Sequence, residues 1–218
     1  MKSRRSGTVD PALFEREAKA ILADAGRTVG RLKTEASRPV AAAAAVAVAS
    51  LRSGGTIYFC GNGGSAADAQ HMACELSGRY LLDRPALPAV ALTTNSSALT
   101  AIGNDYGYRQ VFSRQLEGVG VPGDVLVAIT TSGTSANVLA AVKAARRLRM
   151  RVVGMTGAKG RTFARLCDVA LVTPSGSTPR IQEGHIAMGH TLCELIERAL
   201  FGTPRDALRR RRARAPRS

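Results

Sequence analysis

From residue 56 onward, short and nearly unbroken apolar segments alternate with stretches of helical periodicity, and this alternation leaves few folds open. Thr56–Cys60, Ala89–Thr93, Val125–Thr130, Val152–Thr156 and Val169–Val172 read as strands. Ala66–Gly78, Ser97–Gly103, Ser135–Leu148, a short turn near Thr162 and a long stretch from about Pro179 to Leu200 read as helices. Strands that are apolar on both faces and linked through helices pair in parallel and need helices on both sides. The expected fold is therefore α/β, a parallel sheet flanked by helices on both faces. In such sheets ligands collect beyond the carboxyl ends of the strands, so the loops after Cys60, Thr93, Thr130 and Thr156 are the places to look for chemistry.

Ahead of the sheet, Asp10 and Pro11 form an N-cap and first helical residue. Phe14, Ala18, Ile21, Leu22, Ala25, Val29 and Leu32 then recur at spacings of three and four. Pro39 restarts the chain as an alanine-rich helix to about Arg52, closed by Gly54 and Gly55. These two helices make an arm or cap outside the sheet. A chain of 218 residues accommodates one such domain with extensions. We expect a basic flexible N-terminus at 1–9, a single domain over 10–202 and a basic flexible tail at 203–218.

The composition excludes several classes. The longest apolar run, Val40–Ala49, is ten residues, half the roughly 20 that a membrane-spanning helix needs. The basic start, Met1–Arg5, leads into Ser-Gly-Thr-Val-Asp-Pro and so lacks the apolar region of an export signal. Cys60, Cys74, Cys167 and Cys193 form no C-x-x-C pair and are expected to be reduced core thiols of a cytoplasmic protein. The net charge of +15 invites a nucleic-acid reading, but residues 205–218 alone carry seven Arg against one Asp. With no aromatic residue in the Arg209–Arg212 run to stack bases, a solvated tail is the reading adopted.

Two loops carry the chemistry. Gly61-Asn62-Gly63-Gly64-Ser65-Ala66 opens directly into a helix, where glycines and free N–H groups suit an anion or a sugar. As G-x-G-x-x-A it also admits a dinucleotide, with Asp83 as the ribose acid, although Asp83 does not end a strand. Thr130-Thr131-Ser132-Gly133-Thr134-Ser135 gathers five hydroxyls around one glycine before another helix. That loop suits a phosphate bound without a cation, while Ser135 can equally serve as an ordinary N-cap. His71 and Glu75 share one helix face and suit a metal ion, an acid–base pair or a surface hydrogen bond. On the last helix, Ile181, His185, Met188, Leu192 and Leu195 form an apolar stripe, which makes His185 a satisfied core residue. Gln182, Ile186 and His190 run along the neighbouring face, which leaves His190 the available ligand or acid.

The run Cys60-Gly-Asn-Gly-Gly-Ser-Ala-Ala-Asp-Ala-Gln-His71, with Glu75 and Gly78-Arg79-Tyr80, closely resembles the sugar isomerase (SIS) domain proteins known as phosphoheptose isomerases. The resemblance continues through Ile102–Gly107, Phe112–Arg114, Gly123–Leu126, Thr131–Gly133, Ser135–Val138 and Arg180–Glu183, spanning roughly residues 10–202. It implies a flavodoxin-like three-layer α/β/α domain that converts sedoheptulose 7-phosphate to D-glycero-D-manno-heptose 7-phosphate. That reaction opens the route to activated heptose for lipopolysaccharide core or other glycoconjugates. Carried over by position, His71, Glu75, Gln182 and His190 would bind one Zn2+ per subunit, and Glu75 and His190 would be the acid–base pair. Thr130, Thr131, Ser132 and Ser135 match the phosphate loop; Asn62, Gly63, Gly64, Ser65, Asn104, Asp105 and, less closely, Arg79 match sugar-binding positions. The resemblance also implies a homotetramer with sites between subunits and the N-terminal helices at the interface. Two departures are Thr130, where serine is common, and Pro179, where some members carry an acid. The competing non-enzyme reading is an SIS-family adaptor that binds the replication initiator DnaA; such adaptors resemble this chain but lack the equivalents of Glu75 and His190.

Overall fold

The computed structural model describes residues 10–203. The expected flexible ends, 1–9 and all but the first residue of 203–218, lie outside the described residues. Two helices come first, α1 (Pro11–Glu35) and α2 (Ser37–Arg52), and the sheet follows as β1 (Ile57–Cys60), α3 (Gly64–Ser77), β2 (Ala89–Ala91), α4 (Ser96–Tyr106), α5 (Ser113–Val119), β3 (Val125–Ile129), α6 (Ala136–Arg147), β4 (Arg151–Gly157), α7 (Arg161–Ala164), β5 (Val169–Thr173) and α8 (Thr178–Phe201). The five strands are all parallel in the order β2-β1-β3-β4-β5, with Ile57 opposite Val125 and Val125 opposite Arg151.

Side-chain alternation along each strand divides the interior in two. Ile57, Phe59, Val125, Val127, Ile129, Val153, Met155 and Leu171 face α2, α3 and α8. Tyr58, Cys60, Leu126, Ala128 and Val152 face α5, α6 and Phe163 of α7. The three-layer α/β/α fold is thus the one expected from the alternation.

At the N-terminus, the Asp10 side chain accepts from Ala12 N at 3.0 Å, as an N-cap should. The second helix, however, starts at Ser37 and not at Pro39. Pro39 sits in its first turn, where a missing N–H breaks no helical bond. Leu32 is buried, whereas Phe14, Ile21 and Leu22 are 57%, 57% and 70% exposed, so α1 bares most of its apolar face in the single chain. The short helix α5, with a 3-10 turn at Tyr108–Gln110 before it, had no counterpart in the sequence reading. Its seven residues complete fewer than two turns, too few for a periodic signal.

All four cysteines are unpaired, Cys60 and Cys193 buried and Cys167 half-buried. Cys74 corrects the core assignment: it is exposed on the outer side of α3. Among the described residues no helix is long and apolar enough to cross a membrane.

Candidate active site

The strand order reverses at β1, since β2 lies on one side of it and β3 on the other. The loops that leave β1 and β3 therefore frame a crevice at the carboxyl edge of the sheet. A reciprocal amide pair joins them: Asn62 Nδ2 donates to Asn137 Oδ1 at 2.9 Å and Asn137 Nδ2 donates to Asn62 Oδ1 at 2.7 Å. Tyr108 reaches the same Asn62 oxygen at 3.4 Å from the turn after α4. Neither Asn137 nor Tyr108 was singled out from the sequence, because their meaning lies in a partner some tens of residues away.

The glycines of the first loop answer to crowding and backbone geometry. Gly63 has φ +54°, a region that side chains disfavour. A Cβ on Gly64 would collide with the Gln182 amide, and one on Gly61 would stand 2.6 Å from the Ser65 carbonyl oxygen. Gln182 thus lies against the start of α3. Ser65 is buried, and its N–H donates to Asn62 O at 2.9 Å. Asp83 lies in the loop before β2 and not at a strand end, so the dinucleotide reading lacks its acid.

The hydroxyl loop is bonded to itself. Thr130 Oγ1 and Ser135 Oγ are 3.0 Å apart, Gly133 N donates to Thr130 Oγ1 at 3.2 Å, and Ser132 Oγ and Thr134 Oγ1 are 2.8 Å apart. Ser135 occupies the N-cap position of α6, yet its side chain makes no capping bond. This settles the N-cap alternative against an ordinary cap. Neither α3 nor α6 has an acidic residue in its first turn, so both helix N-termini point positive ends at the crevice. Gly157 N donates to Thr131 O at 3.1 Å, which docks the loop after β4 against the hydroxyl loop. A cleft of about 370 Å³ results, lined by Thr131, Ser132, Thr134, Gly176, Thr178, Ile181 and Lys159. Lys159 is a cation beside a loop that was read as needing none; its position after β4, a loop already marked for chemistry, was the available signal.

A second cluster lies along the seam of α3 and α8. Gly189 and Met72 pack so closely that a Cβ on Gly189 would collide with the Met72 thioether. At the adjoining positions, His71 Nε2 and His190 Nε2 are 2.8 Å apart and Glu75 Oε1 lies 3.5 Å from His71 Nε2. The Tyr80 ring packs on His190 at 5.9 Å between centroids. Burial pushes the Tyr80 hydroxyl above its ordinary pKa, as do the nearby carboxylates. Asp68, one turn ahead of His71 on α3, is likewise raised by burial, against the pull of His71.

Two imidazole nitrogens and a carboxylate oxygen are the donor types a zinc-like ion takes. Ligand bonds of about 2.0–2.1 Å in tetrahedral geometry hold two nitrogens roughly 3.3 Å apart, close to the spacing of this pair. The donor set fits such an ion in type. Among the described residues no three His, Cys, Asp or Glu side chains form a ready-made cage. Gln182 is the member the fold leaves apart, eight residues or about 12 Å up the α8 axis from His190.

Three other candidates stand away from both clusters in the single chain. Asn104 donates to Asp105 Oδ1 at 2.8 Å on the exposed end of α4, and neither bonds another candidate among the described residues. Arg79 is exposed in the loop after α3. His185 is fully buried, as expected, but not satisfied: neither ring nitrogen has a hydrogen bond. Burial drives its pKa down to about 4.

The SIS domain family matches residues 22–157. The phosphoheptose isomerase of Rhodospirillum rubrum is 60% identical over 161 residues, 74% of this chain and 86% of that one. That of Aliarcobacter butzleri is 51% identical over 173 residues, 79% and 92% of the two chains. Among solved structures, phosphoheptose isomerase GmhA from Neisseria gonorrhoeae superposes with a TM-score of 0.80 at 45% identity, over 84% of this chain and 98% of that one. A phosphoheptose isomerase from Francisella tularensis does so with a TM-score of 0.81 at 35% identity, over 84% and 97%.

Proposed function

This chain belongs to the SIS domain family and, within it, to the phosphoheptose isomerases, and from that premise we propose how its two clusters divide the work. The enzyme isomerises sedoheptulose 7-phosphate to D-glycero-D-manno-heptose 7-phosphate, opening the route to activated heptose. The crevice takes the phosphate: Thr130, Thr131, Ser132 and Ser135 offer hydroxyls at the positive end of α6, with Asn62, Gly63, Gly64 and Ser65 beside them. The α3/α8 seam takes the reacting end. His71 lies seven residues, about 10 Å, along α3 from Gly64. An extended seven-carbon chain with bonds of about 1.5 Å spans roughly 8 Å, and its phosphoester extends it to about that distance.

Conversion of a 2-ketose to an aldose moves one proton from C1 to C2 and another between the two oxygens, through an enediol. Glu75 removes a C1 proton while His190, entering as the imidazolium, donates from Nε2 to O2; Glu75 then delivers its proton to C2 while His190 takes up the O1 proton, which leaves both groups as they began. The approach of His190 and Glu75, from separate helices, to the shared His71 ring is the observation that carries this reading. His71, Glu75 and His190 would hold a Zn2+ ion, joined by Gln182 once its side chain turns from Gly64 toward them along α8, and the ion would supply Lewis-acid polarisation of the two sugar oxygens. Glu75 and His190 Nε2 each serve the ion or the proton transfer, not both at once. We further propose a cytoplasmic homotetramer, in which the bare apolar face of α1 is covered and sites form between subunits.

Turnover of sedoheptulose 7-phosphate by the purified chain, before and after chelation and with zinc restored, tests both parts. Heptose 7-phosphate formation that falls with the chelator and returns with zinc is expected. Activity indifferent to the chelator would overturn the metal assignment, and absence of turnover by folded, zinc-loaded protein would overturn the isomerase in favour of the adaptor.

A further inference from the structure

Beneath the α3/α8 seam lies a buried ion pair that the reaction scheme does not use. The side chains of Arg84 and Glu197 are each 2% exposed, with Arg84 Nε donating to Glu197 Oε1 at 3.0 Å. Every remaining bond of the pair goes to main chain. Glu197 accepts from Tyr80 N at 3.2 Å, Leu81 N at 2.9 Å and Leu82 N at 3.0 Å. Arg84 donates to the carbonyls of Glu75 at 2.8 Å, Leu76 at 2.7 Å, Gly78 at 3.2 Å and Pro85 at 3.0 Å.

Those carbonyls explain the arrangement. The chain leaves α3 at Gly78 with φ −88°, not in the left-handed conformation of a glycine cap, and the last turn of α3 has no basic residue. The end of this helix is instead held by a guanidinium from the following loop, whose charge also suits the negative end of the helix. One of its carbonyls belongs to Glu75 itself. The carboxylate that holds the guanidinium comes from α8, seven residues and two turns after His190, and therefore on much the same helix face. It also fixes the main chain of Tyr80, whose ring packs on His190.

We propose that Arg84 and Glu197 are positioning residues for the isomerase, setting the distance and orientation between Glu75 on α3 and His190 on α8. The inference rests on the acid–base assignment above. Because every nitrogen of the guanidinium and both oxygens of the carboxylate are engaged, an ammonium or an amide in place of either partner loosens the end of α3. A displacement of about 1 Å at a reacting group costs on the order of 10²-fold in rate. Binding through the hydroxyl loop, on separate elements, is left as it was.

The test is steady-state kinetics on the full-length, zinc-supplied chain with Arg84→Lys and Glu197→Gln. Leu116→Ala, fully buried in the opposite layer, serves as a control for destabilisation alone. Each protein is assayed well below its thermal midpoint. For the two site variants kcat is expected to fall at least about 10-fold while KM for sedoheptulose 7-phosphate stays within about 3-fold; Leu116→Ala keeps its kcat. If neither single variant folds, the double variant Arg84→Met, Glu197→Met removes both buried charges together and takes their place in the same comparison. A wild-type kcat in a folded variant, or an equal loss in Leu116→Ala, overturns the proposal. Absence of wild-type turnover would overturn the isomerase reading and this inference together, whereas an active wild type with unaffected variants overturns this inference alone.

Discussion

His185 makes the stability of this protein pH-dependent in a way that can be worked out from its burial. The ring is fully enclosed and its pKa is lowered from 6.5 to about 4. The folded chain therefore holds it neutral over a range in which the unfolded chain takes up a proton. Above pH 6.5 neither state is protonated and nothing is lost. As pH falls from 6.5 toward 4, the unfolded state gains free energy that the folded state cannot match. The slope is about 1.4 kcal/mol per pH unit, so roughly 2 kcal/mol is lost by pH 5 and about 3 kcal/mol by pH 4. Urea unfolding of the wild type and His185→Leu, at one protein concentration from pH 7.5 to 4.5, isolates the effect, since other titrating groups are shared by the two proteins. The gap between the two stability curves should change by about 2 kcal/mol between pH 6.5 and 5, in favour of the variant at the acid end. Parallel curves would refute the argument and mean that the ring is already protonated, or hydrated, in the folded chain.

Three further predictions concern the site and the assembly. Glu75→Gln should lower kcat by about 10²-fold to 10⁴-fold while binding of inorganic phosphate, followed by calorimetry, stays near the wild-type value; near-normal turnover would remove Glu75 from the base role. Ser135→Ala should raise KM for the sugar phosphate about 10-fold and cost about 1 kcal/mol or less in stability, through the Thr130 hydroxyl and not through a cap of α6; an unchanged KM would remove Ser135 from the phosphate loop. Leu22→Glu, at the most exposed apolar position of α1, should shift the protein to smaller species in light scattering and reduce specific activity, and an unchanged mass would exclude α1 from the subunit contact.

The strands were legible because burial on both faces writes an unbroken apolar run, as in Val125–Ile129, and the helices because burial on one face writes a period of three to four. What blurred was set by neighbours. The edge strand β2 keeps only three residues. α3 begins two residues earlier than its alanines suggest, since Gly64 is held at its start by the crowding of Gln182. The two chemical loops were legible for a different reason: glycines and hydroxyls are conspicuous in chain order. Pairing is not. Asn62 with Asn137, His71 with His190 and Arg84 with Glu197 are separated by 75, 119 and 113 residues, and only the folded topology brings them together.

The same topology bears on why the proposed assembly matters to the chemistry. The His71 and Glu75 side chains are 45% and 21% exposed in the single chain, an open setting in which water screens charge. Proton transfer at carbon gains from a drier site, where fixed dipoles replace mobile solvent. α1 packs on α8, the helix that carries His190, and bares Phe14, Ile21 and Leu22 on its other side. Asn104 and Asp105, meanwhile, make no hydrogen bond to the other proposed site residues among the described residues. In the proposed assembly, covering α1 with a second copy and bringing the exposed end of α4 to a neighbouring seam would be two consequences of one act of association. On that reasoning specific activity and oligomeric state should fall together in Leu22→Glu, and activity that survives dissociation would place the whole site within one chain.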